Sequence, residues 1–165
     1  MSHALATSVA VPSVRRHPVR MRRLLIPVKR PKEAGRAVSY AIRRRAEGCG
    51  VAVCLLHVEE APSQWQALVG GGMPDGRRRQ ASDVFGVAMR MLEGLDIEFA
   101  AYVRSGPIVF AILDAAEELA CDEIVVPAKG SGLFSLLSRR VVPVLKSRQR
   151  SARLVTVSNC GEAVV

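Results

Sequence analysis

The sequence predicts an α/β domain, a doubly wound five-stranded parallel sheet with helices on both faces. Three observations predict it. Short runs rich in valine, leucine and isoleucine alternate with segments whose apolar residues recur at helical spacing, an order that implies parallel strands joined by helical crossovers. Most of the strand-like runs are apolar throughout, as strands covered on both faces are. Apolar residues make up 49% of the chain but aromatics only 4%, so the core is aliphatic. A chain of 165 residues is long enough for one domain that buries about 70% of its unfolded surface.

The elements follow in order. "RRLLIPV" from Arg22 is a short apolar run closed by a charged turn, the first strand. In "KEAGRAVSYAIRRRAEG", Ala34, Ala37, Val38, Ala41 and Ile42 share one helical face, with Pro31 near the start and Gly48 near the end. "VAVCLLHV", Val51 to Val58, is the second strand. "EEAPSQWQALVGGGMPDG" holds three consecutive glycines and two prolines and is expected to be a mobile loop. A second helix follows from Arg77, its face made by Ala81, Val84, Phe85, Ala88, Met89 and Leu92. "DIEFAAYV" alternates Ile97, Phe99, Ala101 and Val103 inward, which suits a strand near the sheet edge. The third helix opens on Ser105 or Gly106 as cap with Pro107 in the first turn, and turns Ile108, Ile112, Ala115, Ala116 and Leu119 inward. "DEIVVP" is the fourth strand. "SLLSRRVVPVLKSRQR" is a fourth helix that Pro143 is expected to bend or shorten. "ARLVTVS" is the fifth strand.

The chain accordingly divides into a basic N-terminal tail (1–21), the domain (22–160) and a short terminal tail (161–165). The net charge is +9, and residues 1–23 contribute five arginines and no acid to it. The leader has no steady period and is expected to be disordered. A transit peptide, or a start at Met21 just before the first strand, are its other readings. No apolar stretch reaches the ~20 residues that a membrane-spanning helix needs, so a cytoplasmic protein without a membrane partner is expected. Cys49, Cys54, Cys121 and Cys160 form no C-x-x-C pair, and the three histidines are scattered, which gives neither a disulfide framework nor a zinc site.

In a sheet of this kind, ligands bind beyond the carboxyl ends of the strands at a topological switch point. The candidate rim is Val28-Lys29, Val58 and Pro127–Gly132. Gly130-Ser131-Gly132 can form a nest of N–H groups, and Lys29, Lys129, Arg139 and Arg140 can offer cations to an anion. His57 ends the second strand and is read as a packed, hydrogen-bonded histidine, not a base, since no serine or cysteine partner stands near it. Asp114, Glu117, Glu118, Asp122 and Glu123 read as an exposed acidic helix end. Three arginine-rich runs (43–45, 77–79 and "KSRQRSAR") read as solvated faces. No aromatics interleave with them, so specific nucleic-acid binding is not expected.

Five pieces in this order resemble the universal stress protein family. They are "LLIPVKRPKEAGRAVSYAI", "CLLHV", "GPIVFAILDAAEELACDEIVV", "KGSGLFSLLSRRVVPVL" and "ARLVTVS", which together span about residues 22–158. The resemblance implies the doubly wound fold above and a homodimer through the last strand, with Leu154, Val155, Thr156 and Val157 at the interface. It also implies one of two kinds of protein, because some members bind ATP and others do not. Binders carry G-x2-G-x9-G-(S/T) after the fourth strand and an aspartate after the first. Here Pro127 stands at the first glycine and Gly130 keeps the second. The last pair falls on Arg140-Val141, or on Ser138-Arg139 in an alternative alignment, and Lys29 replaces the aspartate. Proline removes an N–H donor, and the lost glycines had let backbone approach a phosphate without a Cβ in the way.

The candidate nucleotide- or anion-binding residues are Val28, Lys29, Val53, Lys129, Gly130, Ser131, Gly132, Ser138, Arg139 and Arg140. The functional reading is a non-enzymatic stress-response regulatory protein that does not bind ATP in the family manner, needs no cofactor and acts on protein clients the sequence does not name. Two alternatives stand beside it: an ATP- or AMP-binding nucleotide switch, and a sensor of another anionic ligand or a non-specific polyanion binder.

Overall fold

The computed structural model describes residues 20–59, 74–128, 134–148 and 151–164, with side chains for all of these except 32–33, 74–82 and 134–140. The elements are β1 (Arg22–Pro27), α1 (Pro31–Ala46), β2 (Val51–Glu59), α2 (Pro74–Leu92), β3 (Glu98–Ser105), α3 (Ile108–Glu118), β4 (Glu123–Pro127), α4 (Phe134–Ser147), β5 (Arg153–Val157) and β6 (Ala163–Val164). The sheet order is β3-β2-β1-β4-β5-β6. The first five strands pair in parallel and β6 adds antiparallel to β5.

The apolar runs divide between two faces because successive side chains point to opposite sides of a strand. Leu24, Ile26, Val53 and Leu55 face α1 and α2, where they meet Ala37, Val38, Ala41, Phe85, Ala88 and Leu92. Leu25, Cys54, Leu56, Ile124 and Val126 face the other way, against Ile112, Ala115 and Ala116 of α3 and Leu145 of α4. Each of these larger side chains is worth about 1.5–3 kcal/mol when removed from water. The inner faces expected for α1, α2 and α3 pack into these two cores, Ile42, Met89, Ile108 and Leu119 at their margins; the side chain of Ala81 lies outside the described ones.

Several expectations are corrected. The sheet has six strands, and the terminal tail expected at 161–165 belongs to the fold through residue 164, because the chain turns back at Ser158 and lays β6 on β5. α2 begins at Pro74, three residues early, with proline suited to a first helical turn. The proline expected to bend or shorten the fourth helix, Pro143, lies inside α4, which runs to Ser147 and no further, and it is exposed. In β3, which does lie at the edge, Val103 is exposed and Tyr102 packs on the α3 side. The leader 1–19 and the glycine-rich segment 60–73 lie outside the described residues.

Candidate functional site

β1 lies between β2 and β4. The chain leaves β1 to build β2 and β3 on one side, then crosses to build β4 and β5 on the other, so the switch point falls between β1 and β4. A cleft sits there whose empty space, open solvent included, is about 580 Å³. Pro27, Val28 and Lys29 reach it from the end of β1, Leu56 and Val58 from β2, and Val126 and Pro127 from β4. Ile108 and Ile112 of α3 and Val141 and Val142 of α4 close its sides. Among the described residues, its walls are aliphatic apart from Lys29.

The backbone at this rim is already committed. The N–H of Val28 donates to the carbonyl of Leu56 at 2.7 Å, and that of Ala128 to the carbonyl of Val157 at 2.6 Å. Pro127, buried at the end of β4, has no N–H to give. Buried His57 sets its Nδ1 2.9 Å from the carbonyl oxygen of Val28. A carbonyl can only accept, so Nδ1 carries a proton. The His57 ring also meets Phe85 edge-on at 6.3 Å. Both backbone polar groups of Val28 are thus satisfied, and the strand end is held in place. His57 is the packed, bonded residue expected from its position.

Of the predicted site residues, Val28 and Lys29 line the cavity. Val53 does not. It is buried on the opposite face of the sheet with Leu24 and Leu55, and Leu56 and Val58 take its place, an odd number of residues away on the same strand. Lys129, Gly130, Ser131 and Gly132 lie outside the described residues. Ser138, Arg139 and Arg140 fall within α4, their side chains outside the described ones. Leu154 and Thr156 are half-buried and Val155 and Val157 buried in β5, with Thr156 and Val157 paired to β6 on the outer side.

Of the three arginine-rich runs expected on solvated faces, the 43–45 run is ion-paired. Arg43 bonds Glu162 at 2.8 Å and Arg44 bonds Glu47 at 3.0 Å, while Arg45 pairs with Asp96. The acidic group is corrected in one member. Glu123 is 3% exposed, and its carboxylate accepts from Arg22 Nη1 at 3.0 Å and from the Tyr40 hydroxyl at 2.9 Å. Burial, then the bond to Glu123, pushes the Tyr40 phenol up to about 12. This buried group sits at the start of β4, the opposite end of the strand from the cavity. It is a structural anchor that the sequence did not distinguish from its acidic neighbours. Among the described residues, no group of three or more histidines, cysteines or acids could hold a metal ion, and no helix is long and apolar enough to cross a membrane.

The family model described as "Universal stress protein family" matches residues 21–142. The chain belongs to the universal stress protein family. Solved structures agree on the fold. A universal stress protein from Arabidopsis thaliana with AMP bound is 14% identical at a TM-score of 0.55, covering 83% of this chain and 91% of its own. Two structures of universal stress proteins from Archaeoglobus fulgidus are each 17% identical. One, at a TM-score of 0.56, covers 82% of this chain and 98% of its own. The other, in complex with dAMP, has a TM-score of 0.53 and covers 84% and 98%. No curated protein matches the sequence significantly. For a universal stress protein, a cavity at the β1/β4 switch point is the place to look for a ligand, by the general rule for open α/β sheets.

Proposed function

We propose that this universal stress protein is a non-enzymatic regulatory protein that does not hold ATP in the family manner. The observation that carries the reading is the committed backbone at the β1 and β4 ends. Phosphate cradles work through clusters of free N–H groups. Here Val28 and Ala128 spend theirs on neighbouring strands, and Pro127 has none. Among the described residues, the cavity walls are aliphatic apart from Lys29 and offer a ligand apolar contact. Titration calorimetry with ATP and magnesium tests it. The expected result is no heat and no thermal shift at millimolar ATP, and micromolar affinity would overturn the proposal.

A second reading is a nucleotide switch taking ATP or AMP. It is favoured by the AMP and dAMP in the two related structures and by the apolar cavity at the switch point. The same titration with AMP, at two salt concentrations, separates it from a general anion site. An anion held mainly by charge loses affinity as salt rises, whereas a base seated between Leu56, Val58 and Ile112 resists it.

A further inference from the structure

Two buried thiols on the α3 side of the sheet take no part in the cleft at the switch point. Cys54 lies in β2 and Cys121 in the link between α3 and β4. No C-x-x-C spacing marks them in the sequence. The fold brings them together in one core cluster with Leu25, Leu113, Ala116 and Ile124, and the thiol of Cys121 hydrogen-bonds that of Cys54.

The backbone accounts for the meeting. Cys54 stands opposite Leu25, and Leu25 opposite Ile124, so these three side chains share one face of the sheet. α3 ends over that face. Ala120 then adopts a left-handed φ of 49°, and the N–H of Cys121 donates back to the carbonyl of Ala116 at 2.8 Å. This turn sets Cys121 beside Cys54 before the chain enters β4. Arg23 of β1 stands next to the pair. Its Nη1 donates to the carbonyl of Leu119 at 2.7 Å, and Cys121 Sγ lies 4.0 Å from the same oxygen.

The two thiols are electrically unlike. The charged groups facing them are Arg23, Glu98 of β3 and Asp122. The bond from Cys121, helped by Arg23, holds the Cys54 thiol down at about 7 against burial and Glu98. Cys121 is pushed up by giving that bond and by its own burial. Thiolate is the nucleophilic form, so Cys54 is the attacking sulfur and Cys121 keeps its proton. Cys54 is 6% and Cys121 5% exposed, an opening suited to an oxidant little larger than water and not to a bulky reagent.

We propose that Cys54 and Cys121 form a redox modification site whose oxidant is a peroxide. The Cys54 thiolate attacks one peroxide oxygen. An S–O bond forms, the O–O bond breaks, and the departing oxyanion takes up the proton that Cys54 has lost. Cys121 then attacks the sulfur of the resulting sulfenic acid. An S–S bond forms, the S–O bond breaks, and hydroxide leaves as water with the Cys121 proton. The two thiols give up two electrons and the peroxide accepts them. β1 separates β2 from β4, so the S–S bond closes as the α3–β4 link shifts toward β2.

The test treats the folded full chain carrying Cys49→Ser and Cys160→Ser, in which this pair holds the last two of the four thiols, with hydrogen peroxide. Intact mass and peptide mapping read the product. The expected result is the loss of two hydrogens per chain and one pair of peptides joined through Cys54 and Cys121, reversed by dithiothreitol. The reaction should speed up as pH rises through about 7. With Cys121→Ser added, the product should stop at a Cys54 sulfenic acid that dimedone traps. Circular dichroism checks folding, and if the Cys121→Ser chain does not fold, the mapping of the parent decides. A folded parent whose two thiols survive peroxide until it is denatured, or whose sulfurs take up oxygen without joining, overturns the proposal.

Discussion

Replacing Tyr40 by phenylalanine removes one hydroxyl from the most buried ionic group described in this protein. The ring stays in its place in the α1 core, so packing is kept. What is lost is the bond from Tyr40 to Glu123 Oε2, 2.9 Å long. Arg22 still holds Oε1 at 3.0 Å. A hydrogen bond to a charged group is worth about 1.5–3 kcal/mol, and the bereft oxygen cannot recover it from water in a pocket this closed. For a domain of this size about 2–4 °C accompanies each kcal/mol, so the melting temperature of Tyr40→Phe should fall by about 3–12 °C at pH 7. The pH dependence supplies a second reading of the same bond. The fold holds the neutral phenol, whose pKa is raised from 10.0 to about 12 by burial and by the bond to Glu123. Its stabilisation is therefore complete below pH 10 and is lost as pH rises from 10 through 12. Thermal melts followed by circular dichroism from pH 7 to about pH 12, with phenolate absorbance titrated in parallel, measure both effects. The parent and Tyr40→Phe should converge as pH rises through that window. A Tyr40→Phe protein melting within 1 °C of the parent at pH 7, or a Tyr40 phenol titrating at its ordinary value, would refute the reasoning.

Four further outcomes are expected. Ile112→Ala should cost about 2 kcal/mol, the low end for such a truncation, because Ile112 borders existing empty space; chemical denaturation measures it, and a cost above about 4 kcal/mol would mean that the cavity is closed around it. In the native protein, thiol reagents should modify exposed Cys160 first and buried Cys54 and Cys121 last, as mass spectrometry of time points would show. The hydrogen bond from Cys121 holds the Cys54 thiol down at about 7, so Cys121→Ala should move the Cys54 titration upward, read as thiolate absorbance. Finally, His57→Ala strips the Val28 carbonyl of its donor and should destabilise by about 1–3 kcal/mol, while His57→Phe keeps the contact with Phe85 but not the bond; equal stability of His57→Phe and the parent would remove the bond from the account.

Much of the architecture was legible because its signals are local. The face of α1 could be drawn from the spacing of Ala34, Ala37, Val38 and Ala41, and the site could be placed at strand ends by the alternation of strands and helices. The cavity wall was only half legible. Strand parity says that Val53 and Leu56 face opposite ways, but not which way the cavity lies, since that depends on where α3 and α4 cross the sheet. The Ile108, Ile112, Val141 and Val142 walls look in sequence like any other core positions. Glu123 was hidden for the same reason. It stands among exposed acids in the chain, and its partners Tyr40 and Arg22 are 83 and 101 residues away.

By itself, then, the sequence determined the class of fold and the order of its parts, because the periodicities that mark strands and helices are local. The tertiary structure decided which face carries the cavity, which carboxylate is buried, and that the last residues return to cover β5. These depend on contacts between residues far apart in the chain, and no local pattern encodes them. Gly161 shows the difference. In the sequence it is a glycine near a terminus, and in the fold it is the point where the returning chain comes close enough to α1 that no side chain fits.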